Sequence, residues 1–371
     1  MNSVSFSIED ILDSMGDGVY VCDRERRIVY WSRAAERITG WTSADVVGRR
    51  CLEDVLNHVD KDGHRLCGEE HCPLHRSMIT GATTRVPLIV YALAKDGRRI
   101  PMHVTAAPLR NTAGEVVGGV ETFRDVTPIL TDMQRARKIQ DQLFAQELPR
   151  DPRLGFSVFF MSHDIVGGDY YAIRQIDRDL FGFMLADMEG HGIAAALYTM
   201  HLGLMWERYH DLLRDPKAFA AAINDRLARE FEKDVTFATA VCGLIDAREG
   251  LLRLSAAGGP PALIVHADGS VDKVGSSGLP LGCMGGVVYQ ERGVRLLPGD
   301  HILLLSDGAF EIHDAANRQL GLDGVVDILK RLGYPQTPLS MAVLEKELLR
   351  FSNEIRLQDD VTIIEVIFQG T

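Results

Sequence analysis

The chain has 371 residues, of which 46% are hydrophobic and 25% charged, and its formal net charge at neutral pH is −12. This length suits two domains and a connector, and the composition is typical of a water-soluble globular protein. The acidic balance argues against a basic surface for nucleic acid or an anionic membrane.

The chain shows no targeting or membrane-spanning segment. No stretch approaches the ~20 apolar residues of a membrane helix, and the start, MNSVSFSIED, lacks the basic and apolar regions of a secretion signal. We therefore expect a cytoplasmic protein that binds neither membrane nor nucleic acid. In a reducing compartment its cysteines should be thiols or metal ligands: Cys22, Cys51, Cys67, Cys72, Cys242 and Cys283.

The first third of the chain predicts a small mixed domain. IEDILDSM (8–15) has the pattern of a short amphipathic helix, and GVYVCD and RRIVYWS predict two strands separated by a charged turn. Helical stretches follow in AAERITGW and SADVVGRRC. Residues 83–127 then predict three strands joined by turns at Lys95–Gly97 and Asn111–Gly114.

These residues resemble a PAS domain. The matching pieces are DGVYVCDRERRIVYWSRAAERITGW, the VVGR turn, KDGRRIPMHVTAAPLRNTAGEVVGGVETFRDVT and the closing Arg124–Thr127. The resemblance covers about residues 8–127, and we assign residues 1–127 to this domain. It implies a five-stranded antiparallel sheet with helices and a sensory role, while the ligand stays open among haem, flavin, a small molecule or none.

One segment of this region is dense in cysteine and histidine. Within CLEDVLNHVDKDGHRLCGEEHCPLH, thiols and imidazoles could hold zinc, an iron–sulfur cluster or haem iron. The alternative is that the thiols are small apolar packing groups. The candidate residues for a sensor metal or redox site are Cys51, Cys67, Cys72, His64 and His71.

A connector, residues 128–149, predicts a helix of about five turns. Its apolar residues stand at positions 129, 133, 136, 139, 143 and 148, a narrow seam typical of a short coiled coil. We expect a homodimer through this signalling helix and the PAS domain. The alternative is a helix that packs on its own domains.

The remainder, residues 150–371, predicts an α+β domain. Short apolar runs bounded by turn residues alternate with two helical blocks without regular β-α order. The strand-like runs are FSVFFMS, LFGFMLAD, TFATAVCGLID, LLRLSAAG, PALIVHAD, HILLLSDG and DVTIIEVIF.

Aspartates stand at several strand ends of this domain. Asp187 ends LFGFMLAD, Asp307 ends the apolar run of HILLLSDG, and Asp169 lies in IVGGDYY. Asp359 and Asp360 precede the last strand. Carboxylates gathered together repel one another unless cations neutralise them. Oxygen ligands favour magnesium or manganese, and two such ions activate water for phosphoryl transfer. Any single Asp-Gly taken alone has a simpler explanation as a turn.

The same segment resembles the SpoIIE/RsbU-like branch of the PPM metal-dependent protein phosphatases. The matching motifs run in the family's order from about 136 to 368: ARKIQDQLFAQELP, VGGDYY, ADMEGHG, FATAVCGLID, SAAGGPPALIV, GLPLG, LPGDHILLLSDGAFE, LGLDGV and QDDVT. The resemblance implies an α/β/β/α sandwich with two Mn²⁺ or Mg²⁺ ions at one edge.

The resemblance also implies a site, residue by residue. Asp169 and Asp187 take the catalytic, bridging positions, and Gly167 and Gly168 let the backbone approach the phosphate. The expected metal ligands are Asp169, Asp187, the Met188 carbonyl, Asp307 and Asp359. Asp360 stands where many relatives outside this branch have asparagine, which implies at most an indirect role.

Three features leave questions open. His191 is either part of the Gly-His-Gly turn or a general acid, and a leaving serine alkoxide needs some proton donor. The family's usual acidic residue is replaced by Ala172. Its AGHNPP motif is shortened to AGGPP at Ala257–Pro261. Neither departure removes an expected metal ligand.

The resulting expectation is a PAS-regulated, metal-dependent serine/threonine phosphatase. The resemblance implies as substrate a phosphorylated STAS-domain anti-anti-sigma protein, in a partner-switching pathway of the stress-response and sigma-factor type. The alternative is a non-catalytic pseudophosphatase scaffold in such a pathway.

Overall fold

The chain folds into two compact units, Met1–Asp132 and Met133–Thr371. The computed structural model describes residues 7–51, 55–60, 63–68, 72–85, 89–190, 192–230, 236–353 and 357–370. Among the helices in these ranges, none combines the length and apolarity needed to cross a membrane.

The N-terminal unit is built on one antiparallel sheet with the strand order β2-β1-β6-β5, and β3 and β4 lie along the outer edge of β5. The sheet therefore has six strands, one more than predicted, because two short strands, β3 and β4, pair with different parts of β5. Its elements are α1 (Ile8–Ser14), β1 (Gly18–Asp23), β2 (Ile28–Trp31), α2 (Arg33–Thr39), α3 (Ser43–Val46), α4 (Pro73–Thr80), β3 (Thr84–Arg85), β4 (Val90–Leu93), β5 (Arg99–Arg110) and β6 (Val116–Asp125).

Aromatic residues of three strands form the centre of this unit. Tyr20, Trp31 and Phe123 are buried, with ring centroids 5.6 to 6.4 Å apart. Helix α2 is bounded by its capping groups, since Ser32 accepts a hydrogen bond from the helix start and Gly40 ends it with a φ of 74°. The predicted strands and helices of this region are present in the predicted order.

Helix α5 (Thr127–Phe144) begins in the first unit and continues into the second. It buries Gln140 and Phe144, while Ile129, Ile139 and Leu143 are more than half exposed. The helix is shorter than the predicted connector because residues 145–149 are not helical and lead into Pro149, which disfavours helix in the residue before it.

The C-terminal unit contains two five-stranded antiparallel sheets, ordered β14-β11-β10-β9-β8 and β13-β12-β15-β16-β7. Its elements are β7 (Leu154–Met161), β8 (Asp169–Gln175), β9 (Leu180–Met188), α6 (Ile193–Tyr209), a 3₁₀ helix (His210–Arg214), α7 (Pro216–Glu230), β10 (Ala238–Asp246), β11 (Leu251–Ala257), β12 (Ala262–Val265), β13 (Val271–Val274), β14 (Arg292–Arg295), β15 (Asp300–Leu305), a 3₁₀ turn (Asp307–Ala309), α8 (Gly321–Arg331), α9 (Met341–Ser352) and β16 (Val361–Phe368).

Side-chain alternation along β9 explains the layering. Phe181, Phe183 and Leu185 pack between the two sheets, whereas Met184 and Ala186 face the cluster that includes α6 and α7. Helices α8 and α9 cover the outer face of the other sheet. The four layers are therefore α/β/β/α, which confirms the predicted fold.

Strand β8 lies at an edge of its sheet, and a side chain covers part of its outer side. The Gln146 amide accepts a hydrogen bond from the Ile173 N–H at 3.0 Å and donates one to the Tyr171 carbonyl at 3.3 Å. Residue 146 therefore occupies main-chain groups that an additional strand would otherwise use.

Candidate metal centre

The register of β8 and β9 places two of the predicted aspartates side by side. Asp169 is the direct cross-strand partner of Asp187. Directly opposed residues have Cβ atoms about 5 Å apart on the same face of the sheet. Both lie in the alternation that faces the second sheet, so their carboxylates enter the space between the two sheets.

The ends of β15 and β16 supply the groups that meet Asp169. The Thr362 hydroxyl donates to Asp169 Oδ2 at 2.5 Å. Ser306 and Thr362 hold each other, since the Thr362 N–H donates to Ser306 Oγ and the Ser306 N–H donates to the Thr362 carbonyl, both at 2.9 Å. Asp307 directly follows Ser306 in the chain. The hydrogen bond from Thr362 to Asp169 joins the two sheets at the site.

Asp360 organises the glycine loop before β8. Its carboxylate accepts hydrogen bonds from the Gly168 N–H and, at 2.6 Å, from the His163 N–H. A Cβ on Gly167 would lie 2.8 Å from the Phe160 ring and 2.9 Å from Asp360 Oδ2. Glycine is therefore required at 167 because the backbone passes too close to its neighbours for a side chain.

The two glycines use their amides inside the protein. Gly167 N–H donates to Gln140 Oε1 at 3.1 Å, and Gly168 N–H donates to Asp360. Both amides therefore have partners within the protein in this conformation, and the predicted role of the two glycines in admitting a phosphate stays a prediction. The geometry gives the pair another task, which is to position Asp169.

Gln140 is a site residue that the sequence did not single out. It is fully buried, and its side-chain amide donates to the Gly167 carbonyl at 2.8 Å and to the Thr199 hydroxyl of α6 at 3.0 Å. Together with the bond from the Gly167 N–H, this fastens α5 to the peptide two residues before Asp169. The position of α5 therefore affects the position of the Asp169 carboxylate.

The carboxylates strongly perturb one another. Burial, followed by the charges of Asp169, Asp307, Asp359 and Asp360, raises the pKa of Asp187 to about 10. Burial and the neighbouring Asp359 raise the pKa of Asp307 to about 6. Such groups cannot all be ionised near neutral pH unless positive charge is brought to them.

A cleft of about 320 Å³ opens beside these carboxylates. It is lined by main-chain and side-chain groups from the ends of both sheets and from the loops after them. Those that bear on the chemistry are His163, Asp187, Met188, Glu189, Asp307 and Asp359.

The donors fit a hard divalent cation. Carboxylate oxygens and the Met188 carbonyl favour Mg²⁺ or Mn²⁺ over softer metals, and the mutual repulsion of the carboxylates is relieved by positive charge. In the part of the chain that the structure describes, no three Asp, Glu, His or Cys side chains are already arranged to hold an ion.

The structure thus brings the predicted acidic residues to one end of the sandwich. Asp187, Met188, Asp307 and Asp359 line the cleft, and the charges of Asp169 and Asp307 both reach Asp187. His191 lies outside the described residues. The sequence missed Thr362, although it directly follows the QDDV run, and it missed His163.

The cysteine-rich segment of the N-terminal unit divides between core and surface. Cys51 and Cys72 are buried in the core, and Cys67 accepts a hydrogen bond from the His58 N–H at 3.1 Å. His64 is exposed and paired with Asp60 at 3.0 Å, so it does not join them. His71 lies outside the described residues.

A buried polar pair accompanies these thiols. Glu121 and His58 are 1% and 3% exposed, and His58 Nε2 lies 3.9 Å from Glu121 Oε1, too far for a hydrogen bond. Burial and the nearby Cys51 raise the pKa of Glu121 to about 8, and burial lowers the pKa of His58 to about 4. At neutral pH both groups are therefore mainly uncharged.

The C-terminal sandwich, with carboxylates from both sheets meeting at one end, defines a class of protein with the PP2C phosphatase fold. Residues 177–369, just over half of the chain, match the family model described as Stage II sporulation protein E (SpoIIE). The chain belongs to the SpoIIE family, which confirms the resemblance found in its motifs. Residues 12–128 match a PAS fold model, which confirms the resemblance of this region to a PAS domain.

Individual relatives agree with this assignment. The phosphoserine phosphatase RsbP of Bacillus subtilis is 25% identical over 183 residues, which are 48% of this chain and 45% of that protein. The SiaA-PP2C domain of Pseudomonas aeruginosa is 22% identical, with a TM-score of 0.55, over 66% of this chain and 98% of that one. At such identity the structural likeness shows the fold alone. The chain spans less than half the length of the curated relatives it matches.

Proposed function

We propose that this chain is a PAS-regulated phosphatase that hydrolyses phosphoserine or phosphothreonine on a protein partner. The observation that carries the proposal is the meeting of Asp169 and Asp187 from one sheet with Asp307 and Asp359 from the ends of the other. Membership of the SpoIIE family and the relation to a phosphoserine phosphatase support it.

Two divalent cations, Mn²⁺ or Mg²⁺, complete the proposed site. Asp169, Asp187, the Met188 carbonyl, Asp307 and Asp359 would hold them. When bound, the ions supply the positive charge that acidifies a water molecule and stabilises phosphoryl transfer. The chain itself holds the carboxylates in place through Thr362, Asp360 and the Gly167–Gly168 loop.

We propose a phosphorylated STAS-domain anti-anti-sigma protein as the substrate, in a partner-switching pathway. The support is the family resemblance and the likeness to RsbP. The test uses the full chain, such a phosphoprotein, and Mn²⁺ or Mg²⁺, with release of inorganic phosphate as the readout. We expect turnover that is lost with a chelator and in the Asp187→Asn variant.

Controls separate the proposal from its alternative. A peptide from the substrate protein that carries phosphotyrosine in place of phosphoserine should be hydrolysed far more slowly than the phosphoserine peptide. Tight binding of the phosphoprotein without any metal-dependent phosphate release would instead identify a non-catalytic scaffold.

We propose that the PAS domain acts on this site through α5. The helix runs directly on from the PAS sheet, since β6 ends at Asp125 and α5 starts at Thr127. Gln140 on this helix binds the peptide next to Asp169, so a shift of α5 changes the placement of a carboxylate. A PAS signal would then bias two arrangements of the metal site.

The exposed face of α5 supports a homodimer. Ile129, Met133, Ala136, Ile139 and Leu143 recur at the three- and four-residue spacing of a coiled-coil seam, and Ile129, Ile139 and Leu143 are more than half exposed. We propose that a second copy of the chain covers this face. Sedimentation should show a dimer that dissociates in Ile139→Lys but persists in the exposed control Gln142→Lys. A monomeric parent protein would contradict the proposal.

A further inference from the structure

In the hydrolysis of a phosphoserine the leaving group is the seryl oxygen, which is a poor leaving group unless it receives a proton. The cleft beside the carboxylates is lined with acidic groups, among them Glu189, Asp307 and Asp359. Among the described residues that line it, His163 carries the basic side chain. Any part that His163 plays in catalysis rests on the proposed phosphatase function.

The position of His163 is fixed by the strand end opposite. Residue 163 follows β7, and its N–H donates to Asp360 Oδ1 at 2.6 Å. Asp360 also accepts the Gly168 N–H, so His163 and the loop before Asp169 share one anchor. The histidine is thereby held to the same framework as the catalytic carboxylates.

The ring of His163 is oriented by a main-chain carbonyl. Nδ1 lies 2.7 Å from the Leu357 carbonyl oxygen. A carbonyl only accepts hydrogen bonds, so Nδ1 carries the donated hydrogen. Nε2 is then the ring nitrogen left to exchange a proton with a molecule in the cleft.

The exposure of the side chain suits repeated proton transfer. His163 is exposed to solvent although it lines the cleft. A proton given up during a reaction can therefore be replaced from water without opening the protein.

We propose that His163 is the catalytic residue that protonates the leaving seryl or threonyl oxygen. The bond between phosphorus and that oxygen breaks, and its electron pair stays on the oxygen, which takes the proton from His163 Nε2. A water oxygen forms the new bond to phosphorus and releases one proton to solvent. The imidazole regains its proton from solvent, so the protein returns to its starting state.

The test compares two leaving groups in the His163→Asn variant. Asparagine can retain a hydrogen bond to the Leu357 carbonyl but cannot transfer a proton. Turnover of a phosphoserine peptide should fall ~10²-fold or more, the usual contribution of general acid catalysis. Because 4-nitrophenolate departs without a proton, the loss on 4-nitrophenyl phosphate should be at least about tenfold smaller.

Matched controls and a second readout guard against indirect effects. His210 also has Nδ1 at 2.8 Å from a carbonyl, that of Glu207, but it does not line the cleft. His210→Asn should therefore show no preference between the two substrates. Calorimetric titration of His163→Asn with Mn²⁺ should give the parent affinity, which a residue that only holds the metal site together would not preserve.

Three results would overturn the inference. Equal losses on both substrates would make His163 a positioning or binding residue. An unchanged rate on phosphoserine would remove it from the reaction. A weakened affinity for Mn²⁺ would assign the loss to the metal site. If the parent protein hydrolyses neither substrate, the phosphatase proposal itself fails, which is a distinct outcome.

Discussion

Asp187 lowers the stability of the metal-free protein, because its carboxylate is buried among other carboxylates. Burial, together with the charges of the neighbouring aspartates, raises its pKa to about 10, so without bound cations the folded protein holds a proton on Asp187 at neutral pH. Replacing it by asparagine removes the need for this proton. Without metal, we expect Asp187→Asn to unfold at a higher temperature than the parent protein. The free energy of unfolding should be about 1 kcal/mol or more larger in the variant.

With Mn²⁺ the order should reverse. The parent protein should gain stability from bound ions, whereas Asp187→Asn should gain little and should lose phosphatase activity. Differential scanning fluorimetry with and without Mn²⁺ measures both effects. Asp211→Asn, at a side chain that is 91% exposed, is the matched control and should behave as the parent. Equal Mn²⁺ shifts in both proteins would remove Asp187 from the metal site.

Glu121 gives the N-terminal unit a defined pH dependence. Its pKa in the folded protein, about 8, lies above its ordinary value of 4.5, so the folded state keeps the proton longer. The stability from this group is therefore complete below about pH 4.5 and is lost as pH rises toward 8. The slope is at most about 1.4 kcal/mol per pH unit.

The variant Glu121→Gln should remove this slope. The pKa of His58 is lowered, so this residue makes stability depend on pH only below about pH 6.5. Following the unfolding of the N-terminal unit between about pH 6.5 and 8 therefore separates the effect of Glu121 from that of His58 and from the carboxylates of the C-terminal unit. We expect the variant to lose less stability than the parent across this range. Glu25→Gln, on an exposed turn, should keep the parent slope, and an unaltered slope in Glu121→Gln would refute the assignment.

Among the elements, α5 makes the most specific contact with the site. In Gln140→Leu the three hydrogen bonds to Gly167 and Thr199 are lost and buried polar groups remain without partners, at a cost of about 1–3 kcal/mol. We expect activity to fall ~10-fold, because the peptide before Asp169 loses its support. Steady-state kinetics against the neighbouring exposed control Gln142→Leu measures this, and equal rates would show that α5 does not position the loop.

The elements also show what the sequence could and could not reveal. The sequence showed that aspartates follow apolar runs at the predicted ends of several strands, but the residue pattern alone did not show that these aspartates meet in space. The pairing of Asp169 with Asp187 was not derivable from the pattern, because a one-residue slip in register leaves the composition of both strands unchanged. Motif resemblance, rather than periodicity, indicated that pair.

Buried polar residues escaped the sequence for a related reason. Gln140 lies between two exposed residues of a helix, and Glu121 is a carboxylate on the face of β6 that also carries the buried Phe123, so residue type alone predicts solvent exposure for both. What buries them is tertiary contact with Gly167 and with the core around Cys51. Hydrophobic periodicity contains no information about such contacts.

At the scale of the whole molecule, the two units have separate hydrophobic cores. One core surrounds Tyr20 and Phe123, and the others lie within the C-terminal sandwich. We expect calorimetry to show two unfolding transitions. Mn²⁺ should stabilise only the C-terminal unit, by about 2.7 kcal/mol at a hundredfold excess over Kd. Glu121→Gln should change the unfolding temperature of only the N-terminal unit. A single transition that shifts as one would contradict this division.

The Gln146 amide on the outer side of β8 bears on the behaviour of the protein at high concentration. An open strand border invites another polypeptide to extend the sheet, which leads to fibrils or insoluble material. In this protein the edge strand is β8, which begins at Asp169, so pairing of β8 with another chain would displace a residue of the proposed metal site. Because the Gln146 side chain bonds the Tyr171 carbonyl and the Ile173 N–H, these two main-chain groups are not free to pair with another polypeptide next to Asp169.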